Sequence, residues 1–476
     1  MMHMYRIRPL QYALGDYQEL EKQQIYFAPF DEQNDPIEGV FDVFWRGDLV
    51  VWKNLLSNYI LCLCNKFVLA TLCTDDREFL DDIKIPVHMT LKELPGRYSE
   101  IVNQVITHFF TRKEITLLLE YLSNRKVPIR RNELIYHLKS INRMAMHSTI
   151  LVHTENGLYR DSTGITDFLV KDESNIFTVL TTLETIQDED KVDEFFRCYS
   201  HAEEQVILAS QLNRDDSYDR RLEYLIISFP KLYAKDLDDL VYSKWYMACF
   251  MSSCTNSLSW GNYGNNHTGI CLKFKTYNDA HGMYLPIERP VGFDSNGKIV
   301  KLGEMYFDKV EYGNDRTPVD FFRSMLTLPS PKLYESWYTD DTGAISVCAD
   351  VLQKIEGYDV FDAVGTERQK YWNIQKRITT SKALDWKDEN EYRLILTPLL
   401  FDYTEPKDRV LKYDFKDLDG VIFGHKTPDN AKKEILTILD KKCKELNRED
   451  FKVYQAGFNR SNNEMIIDEL TMVRLG

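Results

Sequence analysis

Apolar positions along the chain change period twice, and the changes mark out its parts. Residues 4–7 and 24–28 are short apolar-aromatic runs of strand type, separated by a helical pattern over 11–22. Asp31-Glu32-Gln33-Asn34-Asp35-Pro36 closes this opening stretch. It has turn chemistry, since short polar side chains bond the nearby backbone and proline fixes its own φ. From about 49 to 213 the period lengthens to that of helices: Leu55, Leu56, Tyr59, Ile60 and Leu63 share one face, and Val192, Phe195, Phe196 and Tyr199 another. Tight apolar clusters return at 245–251, 269–275, 306–310, 391–396 and 420–423, with helical patterns over 318–325 and 430–446. Strands first, helices between and strands last predict an α+β protein. In this reading 1–48 and 231–476 build one mixed-sheet domain, and a mostly helical insertion, 49–230, interrupts it.

Within the insertion, 111–171 has its own pattern. Ile115, Leu118, Leu119 and Leu122 form a helix face, 128–134 opens a second helix, and a third spans 142–154 and stops at Asn156-Gly157, a good C-cap. Residues 158–161, a Ser-Thr-Gly turn and 165–170 then pair as a hairpin. Three short helices and a hairpin resemble a winged helix-turn-helix. Charge bears on this: the segment holds ten Lys or Arg against six Asp or Glu, so it carries +4 and the remainder −19. Such asymmetry points to a nucleic-acid-facing module, with Arg130, Arg131, Lys139 and Arg143 as candidate contacts. A helical domain packed on the core, or reading a phage or host protein, fits the same pattern.

At 476 residues, 43% hydrophobic and 28% charged, the composition is that of folded protein rather than disorder. A net charge of −15 excludes coating nucleic acid by bulk attraction, though not a local basic patch. Nine scattered cysteines read as reduced thiols, and Arg6 and Arg8 are followed by no apolar leader, so the expected location is cytoplasmic. The most apolar run, 59–73, is interrupted by Asn65 and Lys66 and is shorter than the roughly 20 residues a bilayer needs, so no membrane association is expected.

Several familiar sites are absent: a Walker loop, a paired-glycine dinucleotide fingerprint, His-Glu-x-x-His and a Gly-x-Ser-x-Gly elbow. Cys249, Cys254, His267 and Cys271 have a spacing that permits zinc, but the cysteines sit in strand-like text, where a thiol behaves as a small hydrophobe. The richer constellation is dispersed: Tyr5, Arg6, Asn34 and Asp35 near the start; Cys249-Phe250 and then Trp260, Tyr263, His267 and Gly269 in the middle. Lys382, Trp386, Glu389, Glu391 and Arg393 follow near the end, before Gly420-Val421-Ile422-Phe423-Gly424.

In that order these motifs resemble the bacterial domain-of-unknown-function 2971 family, over roughly 4–40 and 240–440. Gly261-Asn262 stands where that family commonly has Ser and a larger polar residue, and the insertion is longer than usual. The motif order is also similar to that of ADP-ribosyltransferases. That resemblance implies an ADP-ribosyltransferase-like core with NAD as co-substrate and no metal, in a bacterial toxin or anti-phage effector that modifies nucleic acid or protein. Tyr5, Arg6, Asn34, Asp35, Trp260, Tyr263 and Arg393 would then bind NAD, and Glu391, Glu389 and His267 would act in catalysis. The chemistry is coherent: cleaving the nicotinamide–ribose bond builds an oxocarbenium-like cation that a carboxylate stabilises. Glu389 and Glu391, two apart on a strand, are expected on one face. Arg6 would neutralise a phosphate.

Each residue also has a structural reading: the Glu and Arg as an ion cluster, the Trp as core, Asn34-Asp35-Pro36 as a turn, and Thr427-Pro428 as a helix start. Two other functions remain open, a non-enzymatic sensor working through 111–171, and a metal-dependent nuclease or hydrolase using Asp35, His267 and Glu391.

Overall fold

His3–Arg8 is the strand on which the first part of the chain is organised in the computed structural model. The structure describes residues 2–35, 37–73, 84–161, 164–170, 176–184, 186, 188–212, 220–242, 244–295, 297–313, 318–325, 327–352, 373–398, 401–462 and 464–476. Two compact units emerge: Met1–Val40 with Lys244–Arg316 and Ile374–Gly476, and Phe41–Ser243 with Thr317–Asn373. The boundaries differ from those expected: 41–48, 231–243 and 317–373 fall in the helical unit, not the sheet unit. One reason is local pairing, for Asp42–Trp45 pairs with Pro318–Asp320 and with Ile129–Arg130 in a small sheet of that unit.

Among the described residues, thirteen strands of the sheet unit join in one sheet. They are β1 (His3–Arg8), β2 (Gln24–Tyr26), β3 (Ala28–Pro29), β4 (Tyr246–Met251), β5 (Ile270–Lys275), β6 (Tyr277–Asp279), β7 (Gly282–Asp294), β8 (Gly297–Lys309), β9 (Glu391–Leu396), β10 (Val410–Tyr413), β11 (Leu418–Phe423), β12 (Lys452–Asn459) and β13 (Glu464–Glu469). Their order is β13-β12-β11-β5-β1-β4-β9-β8-β7-β10-β2, with β3 on β4 and β6 on β7. All pairs are antiparallel except β11 with β12, so the sheet is mixed.

Strand alternation sorts the side chains onto two faces. Met4, Ala248, Phe250, Leu272, Phe274, Leu394, Val421 and Phe423 form one core, closed by Ile435, Leu439 and Cys443 of the helix Asp429–Glu445. Ile7, Met251, Cys271, Ile422 and Ala456 form a second core on the opposite face, beneath Trp260 of the helix Ser257–Tyr263.

Some elements differ from the expected pattern for identifiable reasons. The helix over 11–22 is two single turns, Leu10–Ala13 and Glu19–Lys22, because Gln18 between them is left-handed at φ 53°. The 24–28 strand breaks at Phe27, whose N–H donates to the Arg409 carbonyl at 3.0 Å rather than to a neighbouring strand. Of the long hairpin β7–β8 only the end of β8 matches an expected strand, 306–310; the rest of the hairpin and the strands β10, β12 and β13 lack strict alternation in the sequence.

In the helical unit, Leu49–Leu72 is capped by Asp48, whose side chain accepts from the Val51 N–H at 3.3 Å. At 24 residues it exceeds the expected apolar run and is long and apolar enough to cross a membrane, yet 67% of its most apolar window is buried inside the protein. Its polar groups are answered there: Tyr59 donates to Asn142 at 2.7 Å, and Asn58 accepts from Tyr233 at 2.9 Å. It therefore packs as a core helix.

The winged-helix expectation is not met among the described residues. The second and third helices are one 25-residue helix, Arg131–Glu155, which does end at Asn156 with Gly157 left-handed at φ 70°. Ile165–Val170, expected as a strand of the wing, is helical. Ser162 and Thr163 of the turn lie outside the described residues.

Candidate functional site

Neighbouring strands bring three of the dispersed motifs together. Tyr5 of β1 pairs with Met251 of β4, and Met251 pairs with Glu391 of β9, so the three side chains stand in one row on the Trp260 face. One rung along, Cys249 pairs with Arg393. A short parallel pairing of Glu311–Tyr312 with Ser381–Lys382 then carries Lys382 to the end of β9. Tyr312 fixes that end by accepting the Glu391 N–H at 2.8 Å.

The result is a buried cluster of three carboxylates and two cations. The Lys382 ammonium donates to Glu389 Oε2 at 2.8 Å and to Glu391 Oε2 at 2.9 Å. Arg393 donates from Nε to Glu391 Oε1 at 2.8 Å and from Nη1 to the Thr379 carbonyl at 2.6 Å. Its Nη2 also touches Glu38, and Lys382 lies 3.8 Å from the other Glu38 oxygen. Lys382 sits 4.8 Å from the Trp386 ring centroid, a cation–π contact. Residue exposures are 0% for Arg393, 2% for Glu391, 6% for Glu38 and Lys382, and 7% for Glu389, so these charges act on one another with little screening.

Electrostatics distinguish the carboxylates. Burial drives the Glu391 carboxyl up, but Arg393 and then Lys382 outweigh it and hold it at about 2, ionised. Burial is also the largest influence on Glu38; Arg393 opposes it, Glu391 reinforces it, and the carboxyl is pushed up to about 7. Burial tends to lower Lys382, but Glu391, Tyr263, Glu38 and Glu389 together raise it. Half-buried Tyr263 faces the same cluster, its hydroxyl raised by burial and eased back by Lys382.

The expected site residues therefore separate. Glu391, Glu389, Arg393, Tyr263 and Tyr5 gather on one side of one sheet, but Glu389 is not on the strand. It ends the 3-10 turn Leu384–Glu389, and left-handed Asn390 (φ 47°) swings the backbone between it and Glu391. Arg393 is occupied by Glu391, Glu38 and a carbonyl, so a cofactor role for it requires displacing those partners.

Arg6 lies on the other face, because it alternates with Tyr5: its guanidinium stacks 5.4 Å from the Phe250 centroid and donates to the carbonyls of Cys249 (3.2 Å) and Tyr26 (3.0 Å). Trp260 is fully buried with its indole N–H on the Cys254 carbonyl at 2.7 Å, so it is core rather than a stacking platform. His267 packs 5.8 Å from Phe458 of β12. That strand is five positions from β9, on the order of 20 Å along the sheet, so His267 is not a partner of Glu391.

Asn34 is exposed, whereas Asp35 is buried and accepts the Ile37 N–H at 3.1 Å, holding the turn that delivers Glu38. Thr427 is not a helix cap: its hydroxyl donates to the Gly269 carbonyl at 2.7 Å, and Pro428 stands at the cap. Among the described residues no group of three or more His, Cys, Asp or Glu side chains is arranged to hold a metal. Neither the Cys249, Cys254, His267, Cys271 spacing nor the Asp35, His267, Glu391 set assembles such a group.

Two members of the cluster escaped the site assignment. Glu38 belongs to no motif and follows a turn, so sequence spacing carried no signal for it. Lys382 was visible beside Trp386 but had no role until Glu389 and Glu391 were seen converging on it.

The insertion residues are engaged within their own unit. Arg130 bridges Asp42 at 2.7 Å and Glu189 at 3.0 Å. Arg131 holds Asp238 at 2.7 Å and the Ala234 carbonyl at 2.7 Å. Lys139 pairs with Glu203, and Arg143 is half-buried on the same helix. The local excess of positive charge is thus partly cancelled by carboxylates from other segments. Searches for matching family models, curated proteins and solved structures find none for this chain.

Proposed function

We propose that the sheet unit is an NAD-consuming, ADP-ribosyltransferase-like enzyme centred on Glu391, in a bacterial toxin or anti-phage effector. The observation that carries this reading is the convergence of Glu389 and Glu391 on Lys382 beside Tyr263, in a row with Tyr5. The motif resemblance, which rests on the same residues, points the same way. Glu391, kept ionised by its cations, supplies a fixed negative charge next to aromatic walls. When the bond between ribose C1′ and the nicotinamide nitrogen breaks, the electron pair leaves with nicotinamide and positive charge develops at C1′, which a preorganised carboxylate stabilises. Tyr5 and Tyr263 offer half-buried rings for a flat base. Arg6 has no part, and the helical unit serves as the module that reads acceptor or partner.

The test is nicotinamide release from NAD by the purified full chain, with Glu391→Gln compared at matched thermal stability. Loss of release in the variant supports the reading; an inert wild type, or equal release by both, ends it.

A second reading is favoured by the burial of all five charged groups and the pairing of each carboxylate. The cluster then braces the 37–40 turn, residues 381–382 and β9 in a non-enzymatic binding protein. In that case Glu391→Gln lowers the unfolding midpoint and wild type consumes no NAD.

A further inference from the structure

The cluster has three carboxylates to two cations. Lys382 and Arg393 direct their hydrogen bonds to Glu389, Glu391 and the Thr379 carbonyl. Glu38 is left with ion contacts only: neither of its buried oxygens has a hydrogen bond. Asp35 adds to the imbalance, since its second oxygen is buried without a partner while the first holds the Ile37 N–H. The groups facing Glu38 are Arg393, Glu391, Lys382 and Asp35. With every carboxylate ionised, Glu38, Glu389 and Glu391 against Lys382 and Arg393 leave a net charge of −1, and Asp35 makes it −2. Buried net charge is costly, and a proton on the least well bonded carboxyl lowers it by one.

We infer that Glu38 is the proton-exchanging group of this site: it receives the proton of the attacking hydroxyl while Glu391 stays ionised. The inference rests on the NAD-consuming reading. The C1′–nicotinamide bond breaks and its electron pair leaves with neutral nicotinamide. The oxygen of water or of an acceptor hydroxyl bonds C1′, and the proton from that oxygen passes to Glu38 and then to solvent. A group titrating near neutrality suits this work, because it is ionised often enough to accept and acidic enough to release. Glu38 has that character, raised by burial to about 7. Glu391, held at about 2, does not.

The experiment uses the full chain as wild type, Glu38→Gln and Glu38→Asp, each with its unfolding midpoint recorded. Nicotinamide release from NAD is followed from about pH 5 to about pH 9, and infrared difference spectra record the protonated carboxyl band over the same range. Wild type is expected to show an acid limb near neutrality and a carboxyl titrating with it. Glu38→Gln should lose both and slow by about 10²- to 10⁴-fold, and Glu38→Asp should keep the limb at a reduced rate. An active wild type whose profile and band survive in Glu38→Gln overturns the role of Glu38 alone. A wild type inert toward NAD overturns the enzyme reading, and the role with it.

Discussion

Arg6 and Glu391 stand on opposite faces of one sheet. Arg6 alternates with Tyr5, whose side chain shares a row with Glu391, so the guanidinium is carried to the Phe250 side. There it meets two carbonyls and no carboxylate hydrogen bond, and burial, aided by Arg8, lowers it to about 10. An arginine so placed holds Tyr26 and Cys249 together; it does not receive a ligand phosphate at the Glu391 cluster.

Arg6→Met should therefore leave the KM for NAD unchanged while destabilising the fold by about 1–3 kcal/mol, the cost of leaving buried carbonyls unpaired. Urea unfolding and steady-state kinetics on the same preparation check both halves. A large rise in KM without loss of stability would return Arg6 to the ligand.

Arg393 should behave differently. It is fully buried and holds Glu391 and Glu38 together, so its removal strands negative charge in the interior. Arg393→Met is expected to cost about 3–5 kcal/mol, the range for breaking a buried pair by deleting one partner. Adding Glu38→Gln to it should recover part of that loss, because the stranded charge falls. Strict additivity of the two changes in a double-mutant cycle would contradict the coupling.

The legible parts of the fold were those where one local signal suffices. β9 was expected over 391–396 and is Glu391–Leu396; the final helix, expected over 430–446, is Asp429–Glu445. The stop at Asn156-Gly157 followed from chemistry alone. Of the hairpin β7–β8 only 306–310 was legible, because a bulge at Ile299/Val300 and exposed apolar positions such as Val300 and Leu302 blur the alternation of the rest. The face of Arg6 depended on register, which a single strand does not declare. Glu38 depended on a turn folding back over strands more than 200 residues later, a long-range relation with no local trace.

The insertion offers a test of its charge. Arg130 and Arg131 are partly exposed but bonded to Asp42, Glu189 and Asp238. Changing both to alanine should lower the stability of the helical unit by about 1 kcal/mol, as for partly exposed ion pairs, and leave nucleic-acid retention at low salt unaltered. Salt-dependent binding lost in the double variant would show that these arginines leave their carboxylates for phosphate.

The pH dependence of stability separates Glu38 from Glu391, because their shifts have opposite sign. Glu38 rises from 4.5 to about 7 on folding, so between those values the folded chain keeps a proton that the unfolded chain has released. Its contribution is complete below about 4.5 and is lost as pH climbs through 7. Glu391 falls from 4.5 to about 2, so the unfolded chain binds the extra proton there, and its contribution is complete above about 4.5 and lost toward 2. Glutamine at position 38 cannot titrate and deletes only the first slope. Glu38→Gln should then gain on wild type as pH rises from about 5 to about 7, with the difference level above about 8, read from urea midpoints at each pH. A wild-type-to-variant difference that is flat across the whole interval would mean that Glu38 enters the folded state already ionised.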